Sequence, residues 1–306
     1  MGDREAASDN DASYLDEVER LSFDGVEWTA ERLREARDLL APWQHNIRLP
    51  HGVFTAYDED YYDEHRKIME VVHHCAGGAL TGMRVLDLGC LEGYFSAECA
   101  LHGASVVGVD ARVLNVKKCE LVRSALELRD TEFVVDDAMA ITRERYGGFD
   151  VVLALGLLYH LSEPLAILSN LAELCDSFAV IDTLVALEDR RQDIDGWRPE
   201  LSDLQRFELG GDTYEGRLYR EYESGADRVE RELSTTASLA NDLSVWLTED
   251  SLVRMLRSVG FAHVLKVCFA RDADNWWSDP AEGRVLVVAS KEARPFRSLV
   301  FASESG

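Results

Sequence analysis

Apolar and polar positions along the chain change rhythm at Met83. Beyond it, short apolar runs at Arg84–Leu88, Ser105–Val109, Glu132–Val135, Asp150–Ala154 and Phe178–Ile181 read as buried strands. Between them, Tyr94–Leu101, Leu114–Leu126, Ala138–Arg145 and Pro164–Leu174 carry helical spacing. Strands and helices alternating across short turns predict an α/β fold: a mostly parallel sheet with helices on both faces. Upstream, Trp28 to Leu40 has helical spacing, with Thr29 where an N-cap would stand. Asp60 to Cys75 reads as a second helix, closed by Gly77-Gly78.

Two segments break the alternation. Residues 1–20 are acidic, poor in apolar residues and without periodicity, which predicts a disordered tail. Residues 183–245 are charged and dotted with Gly and Trp; they read as an insertion over one edge of the sheet, with a hairpin around Tyr214–Tyr222. Thr248 then starts a helix running to Ser258, Gly260 ends it, and strands at His263–Phe269 and Arg284–Ala289 close the sheet. The expected organisation is a tail (1–20), a helical, lid-like segment (21–80) and one α/β domain (81–306) with its insertion at 183–245.

Charge narrows the partners. Thirty-two basic residues against 57 acidic ones leave a net charge of −25, and no run of Lys or Arg stands out. Nucleic-acid binders draw much of their affinity from neutralising phosphates, so nucleic acid is a disfavoured partner. No apolar run reaches the ~18 residues of a membrane span. Met1 to Arg20 holds no apolar stretch that serves as a secretion signal, and the cytoplasm is the expected compartment. The six cysteines show no CxxC spacing and read as reduced, buried thiols. His73-His74-Cys75 are adjacent on a helix and point in different directions, so no metal site is expected there.

The chemistry gathers at strand ends. Val85-Leu86-Asp87-Leu88-Gly89-Cys90-Leu91-Glu92-Gly93 is a strand entering a glycine-bearing turn before a helix. Glycine lets backbone approach a ligand where a side chain would collide. The D-x-G-x-x-x-G run differs from the dinucleotide G-x-G-x-x-G, and a buried carboxylate beside the turn suits an ammonium-bearing ligand better than a diphosphate. Val109-Asp110 ends the second strand roughly twenty residues on, where a carboxylate can accept ribose hydroxyls; a helix N-cap is the other role open to it. Asp136-Asp137-Ala138 follows the third strand, with Asp137 the choice for an adenine amino group and Asp136 the alternative. The fourth strand ends at Leu155-Gly156, on the edge where open α/β sheets place ligands.

This ordered series resembles the class I S-adenosylmethionine-dependent methyltransferase family over about residues 80–185 and 249–290. The resemblance implies a Rossmann-like, seven-stranded, mostly parallel sheet whose last strand is antiparallel. It also implies S-adenosylmethionine as cofactor, with Gly89, Cys90, Leu91 and Gly93 around the methionine part and Leu155 near the methionine end. Asp110, with Ala111 beside it, falls at the ribose, and Asp137 with Ala138 at the adenine. Gly156-Leu157-Leu158-Tyr159-His160-Leu161 is similar to a segment of the tRNA wobble-uridine carboxymethyltransferase family and its uncharacterised relatives. Members transferring a carboxymethyl group place Arg directly after Tyr-His, where this chain has Leu161 and Ser162.

Three functions are therefore carried forward. The first is a biosynthetic methyltransferase acting on oxygen, nitrogen or carbon of a small-molecule acceptor. The second is a tRNA wobble-uridine modifying enzyme, and the third a non-catalytic cofactor-binding protein. A homodimer is a candidate assembly. Imidazole titrates near neutral pH, so His160 is a candidate base, with a structural bond to the insertion as the other reading. Tyr159 is a candidate for shaping the pocket. His45, Arg48, His51 and Trp197 are candidate acceptor contacts, set against a solvated loop packed by Trp43.

Overall fold

The computed structural model describes residues 9–57, 64–188, 192, 199–222, 225–268 and 283–292. In chain order, its first elements are α1 (Asp9–Glu19), α2 (Ala30–Leu39), α3 (Glu64–Ala76), β1 (Arg84–Leu88), α4 (Tyr94–Leu101), β2 (Ser105–Asp110), α5 (Val113–Ala125) and β3 (Thr131–Val135). There follow α6 (Arg143–Tyr146), β4 (Phe149–Leu155), α7 (Pro164–Leu174), β5 (Cys175–Leu184), β6 (Gln205–Leu209) and β7 (Asp212–Arg220). The last are α8 (Arg228–Leu233), β8 (Leu243–Leu247), α9 (Glu249–Ser258), β9 (His263–Val267) and β10 (Arg284–Ser290).

Seven strands form a sheet in the order β3-β2-β1-β4-β5-β10-β9, and β6-β7-β8 form a second. β1 with β2, β2 with β3 and β4 with β5 are parallel, while β10 is antiparallel to both β5 and β9. The α/β expectation, antiparallel last strand included, is met. The chain divides into two compact units.

The first unit takes in Met1–Asp63, Leu80–Ile141 and Glu221–Asp242. In β1, Val85, Leu86 and Leu88 are wholly buried, as a parallel strand covered on both faces requires. Each such side chain contributes about 1.5–3 kcal/mol by leaving water. α2 is capped by Thr29, which accepts from the Arg32 N–H as its position predicted. The disordered tail expected over 1–20 is corrected for residues 9–19, which form α1. Tyr14 and Val18 lie one turn apart, Val18 is buried, the Tyr14 hydroxyl donates to Leu39 O, and α1 packs on α5. A sparse apolar stripe suffices once a partner helix supplies the other half of the contact.

The second unit takes in Glu64–Ala79, Thr142–Arg220 and Leu243–Gly306. Its core is the apolar interior of β4, β5 and β10, with Leu252, Met255 and Leu256 of α9 at helical spacing. Thr248 caps α9 and Gly260 follows it at φ 113°, both as expected. The hairpin expected around Tyr214–Tyr222 lies earlier: β6 and β7 pair with Leu209 opposite Asp212. Gly210 and Gly211 turn between them at φ 62° and 89°. A two-residue hairpin turn of the type I′ class needs positive φ at both central positions, which Gly-Gly supplies.

One further expectation changes at the boundary between the units' sequences. The single helix predicted over Ala138–Arg145 is a 3-10 turn at Ala138–Ala140 and the separate α6, because Asp137 caps the first and Thr142 the second. Among the described residues no helix is long and apolar enough to cross a membrane.

Candidate active site

In the first unit, the turn after β1 holds three left-handed positions at alternate residues: Gly89 (φ 71°), Leu91 (φ 51°) and Gly93 (φ 79°). The N–H groups of Gly89 and Cys90 both donate to Val109 O, at 2.8 and 2.9 Å, which fastens the turn to the end of β2. Leu91 carries the penalty of a side chain in this region, about 1–2 kcal/mol. Its N–H donates to Asp110 Oδ2 at 3.1 Å and its carbonyl accepts from Cys119 Sγ at 3.3 Å, so the surroundings hold it there. Strain retained in this way is a mark of functional backbone.

Asp87 sits behind that turn, 1% exposed. Ser96, in the first turns of α4, donates its hydroxyl to Asp87 Oδ2 at 2.7 Å. Burial pushes the Asp87 carboxyl up to about 6; the Ser96 bonds hold it down and the nearby Asp110 charge adds to the rise. Among the described residues no cationic side chain pairs with Asp87. A buried carboxylate lacking a countercharge fits an ammonium-bearing ligand.

Asp110 is more committed than its sequence position suggests. Oδ1 accepts from the Arg112 N–H at 2.9 Å and the Asn115 amide at 3.0 Å, and Oδ2 from Leu91. A carboxylate offers about four acceptor positions, so roughly one remains open where the sequence reading expects two ribose hydroxyls. The helix-cap alternative is corrected: α5 is capped at Arg112 without a side-chain bond, and Asp110 instead ties the Arg112 N–H and the Asn115 amide to the end of β2. Burial raises its pKa, and the bonds from Arg112, Asn115 and Leu91 pull it back. Ala111 lies half-buried beside it. Asp137 is exposed and spends Oδ1 on the Met139 N–H at 2.8 Å. Asp136 Oδ1 accepts from the Asp137 N–H at 2.9 Å, with Ala138 next in the turn. Val135 and Met139 expose apolar surface on either side, 46% and 39%, which suits a flat base.

Arg112 connects this corner to the insertion. It is buried, with Nε donating to Arg231 O at 3.1 Å and Nη2 to Ala237 O at 2.7 Å. The Leu114 N–H donates to Glu232 Oε1 at 3.3 Å. Residues 221–242 of the insertion are therefore fixed to the turn that follows Asp110.

The segment 42–57 separates its candidates. His45 is 9% exposed, its ring packed 5.6 Å from Tyr94 and 5.8 Å from Phe95, and its N–H donates to Glu92. Arg48 is exposed in an antiparallel bridge to Phe54. His51 is exposed, with Nε2 3.0 Å from Trp28 O. The structure brings His45 to the turn after β1 and leaves Arg48 and His51 exposed. Trp197 lies outside the described residues.

In the second unit, Leu155 ends β4 opposite Asp182 of β5, and the Gly156 N–H donates to Asp182 O at 3.0 Å. A 3-10 turn at Leu158–His160 follows. It sets the Tyr159 and His160 rings 4.2 Å apart, and Trp246, wholly buried, donates its indole N–H to Tyr159 O at 2.8 Å. Arg284 Nε donates to Asp182 Oδ1 at 3.1 Å, Nη2 to Oδ2, and Arg284 also bonds the Tyr159 side chain. Burial raises the Asp182 pKa, and Arg284 and His65 counter it. Burial works against the Arg284 charge, but Asp182 and Tyr159 outweigh it and hold the guanidinium protonated.

Ser96, Arg112, Glu92, Lys118 and Arg284 all shape these sites, and sequence reasoning passed over them. Gly108 shapes the Asp87 corner as well: a Cβ there would stand 2.6 Å from the Phe133 ring and 2.9 Å from Ser96 Oγ.

Residues 57–266 match the family described as a methyltransferase domain. Ubiquinone biosynthesis O-methyltransferase of Nitrosomonas europaea is 34% identical over 102 residues, 33% of this chain and 42% of that protein. The tRNA U34 carboxymethyltransferase of Dichelobacter nodosus is 40% identical over 119 residues, 36% of this chain and 35% of that protein. The chain spans less than half the length of either relative. The N-terminal domain of EvdMO1, crystallised in the presence of SAH and D-fucose, is similar in fold with a TM-score of 0.62. That likeness covers 89% of this chain and 99% of the other at 23% identity.

Proposed function

The chain belongs to the methyltransferase-domain family, and on that premise we propose that it is an S-adenosylmethionine-dependent methyltransferase acting on a small-molecule acceptor. The observation that carries this reading is Asp87, a buried carboxylate without a cationic partner among the described residues, set behind a turn of left-handed backbone. S-adenosylmethionine, when bound, supplies a methyl group activated by a cationic sulfur.

The chain's own residues have separable duties. Asp87 holds the amino group, and the backbone from Gly89 to Gly93 lets the methionine part approach closely. Asp110 receives a ribose hydroxyl on its remaining acceptor position, and Asp137 with Ala138 takes the adenine edge. Where the acceptor is a hydroxyl or an ammonium, His160 removes its proton, a task worth typically 10²–10⁴-fold in rate. Tyr159, held by Arg284 and Trp246, shapes the acceptor side. His45 is the candidate acceptor contact from segment 42–57.

A small molecule fits the strongly acidic chain better than an RNA does. The similarity to a tRNA U34 carboxymethyltransferase keeps RNA as the second reading. Methyl-labelled S-adenosylmethionine, offered with small-molecule panels and with bulk tRNA, distinguishes them. Label in low-mass products is the expected result. Label confined to tRNA, with salt-sensitive binding, favours the second reading; SAH binding without any transfer favours a non-catalytic role.

A further inference from the structure

Glu92 stands between Leu91 and Gly93 in the cofactor turn, yet its side chain points inward and is wholly buried. Both carboxylate oxygens accept the Gln44 N–H at 2.9 Å, and Oε2 accepts the His45 N–H at 2.8 Å. Oε1 also takes the Lys118 ammonium at 2.9 Å. Lys118 is equally buried, donates to Pro42 O and lies 5.2 Å from the Trp43 ring centroid. Segment 42–45 has no helix or strand of its own. The Gln44 and His45 N–H groups and the Pro42 carbonyl take their partners from one buried ion pair, and the His45 carbonyl accepts from the Thr55 hydroxyl.

Such a pair is a poor source of net stability, because desolvating two ions costs several kcal/mol each. What it supplies is register. The φ/ψ values of Leu91 and Gly93 aim the Glu92 carboxylate, and the carboxylate fixes the two amides that carry His45. We propose that Glu92 and Lys118 are a positioning pair that couples cofactor occupancy of the turn to the placement of segment 42–45. The proposal rests on the S-adenosylmethionine reading above. A ligand that narrows the backbone freedom of the turn thereby orders Gln44 and His45, and by reciprocity the ordered segment strengthens cofactor binding.

The test is amide hydrogen exchange at Gln44 and His45 in the full chain, with and without SAH. In the wild type, SAH is expected to slow exchange at both by about fivefold or more, the lower end of common coupling energies. The double variant E92L/K118M removes both ions together and so leaves no orphan charge. In it SAH should bind more weakly by the same factor and no longer protect the two amides. If that variant does not fold, E92Q/K118M keeps one acceptor oxygen and should show a smaller gain than the wild type; an equal gain overturns the proposal. SAH binding without added protection in the wild type, or protection surviving in E92L/K118M, also overturns it while leaving the cofactor reading intact. Failure of the wild type to bind SAH overturns the cofactor reading itself.

Discussion

The Ser96 hydroxyl donates to Asp87 Oδ2 at 2.7 Å, and no cation joins them among the described residues. Asp87 is thus a buried anion half-compensated, with its carboxyl raised to about 6. A bound ammonium group favours the ionised form, so SAH affinity should be level above about pH 6. Below that it should fall, approaching tenfold per pH unit. Binding near pH 6 should release a proton, detectable by calorimetry in buffers of different ionisation heat. The unliganded protein follows the opposite sign. Its folded Asp87 binds protons more readily than the unfolded chain, so this group's contribution to stability declines as pH rises from 3.8 to about 6. Asp87→Asn should remove both dependences; a pH profile unchanged in the variant contradicts the assignment.

Ser96 reaches Asp87 because residue 108 has no side chain. Gly108→Ala places a Cβ 2.6 Å from the Phe133 ring and 2.9 Å from Ser96 Oγ, an overpacking that costs about 1–3 kcal/mol. The expected result is a lower Tm together with weaker SAH binding. Gly93→Ala differs in kind: at φ 79° its cost is backbone strain at the turn, and its Cβ would stand 3.1 Å from Cys119 Sγ. Loss of SAH affinity should exceed loss of Tm there, and the reverse order would count against the turn as the binding element.

Arg112→Ala cuts the two bonds from its guanidinium to Arg231 O and Ala237 O. Hydrogen bonds to charged groups are worth about 1.5–3 kcal/mol. The effect should be local: faster proteolysis and amide exchange within residues 221–242, with the sheet strands unaffected. Uniform loss across the first unit would show that Arg112 supports the fold rather than the insertion.

His160→Ala should lower kcat by about 10²–10⁴-fold with an oxygen or nitrogen acceptor, while SAH affinity stays the same. A carbon acceptor lacking an acidic proton should be much less sensitive. If kcat holds and only Tm falls, His160 is structural, and its 4.2 Å contact with Tyr159 is the reason it is there.

Legibility in the sequence followed the range of the interaction. Asp87, Gly89, Gly93 and Asp110 stand at strand ends and turns, where local spacing dictates backbone shape. The same locality marks the Thr29 and Thr248 caps. The Gly-Gly turn at 210–211 is equally local, and its two positive φ angles mark the hairpin at 205–220 rather than around Tyr214–Tyr222. Glu92, by contrast, bonds residues 48 and 26 positions away, and Arg112 bonds one 125 away; no window on the chain contains such pairs. α1 was missed for a related reason, since its apolar face is too small to declare itself without α5. Asp110 stands at the end of β2 as the alternation predicts, but its commitment to Arg112, Asn115 and Leu91 is a property of the folded corner.

The most direct test of the central claim is calorimetric titration of SAH into the full chain well above pH 6, beside Asp87→Asn under the same conditions. Saturable binding at one site per chain, weakened tenfold or more in the variant, is the result this structure predicts. A folded wild-type protein that takes up no SAH, or a variant that binds it equally well, would contradict the account.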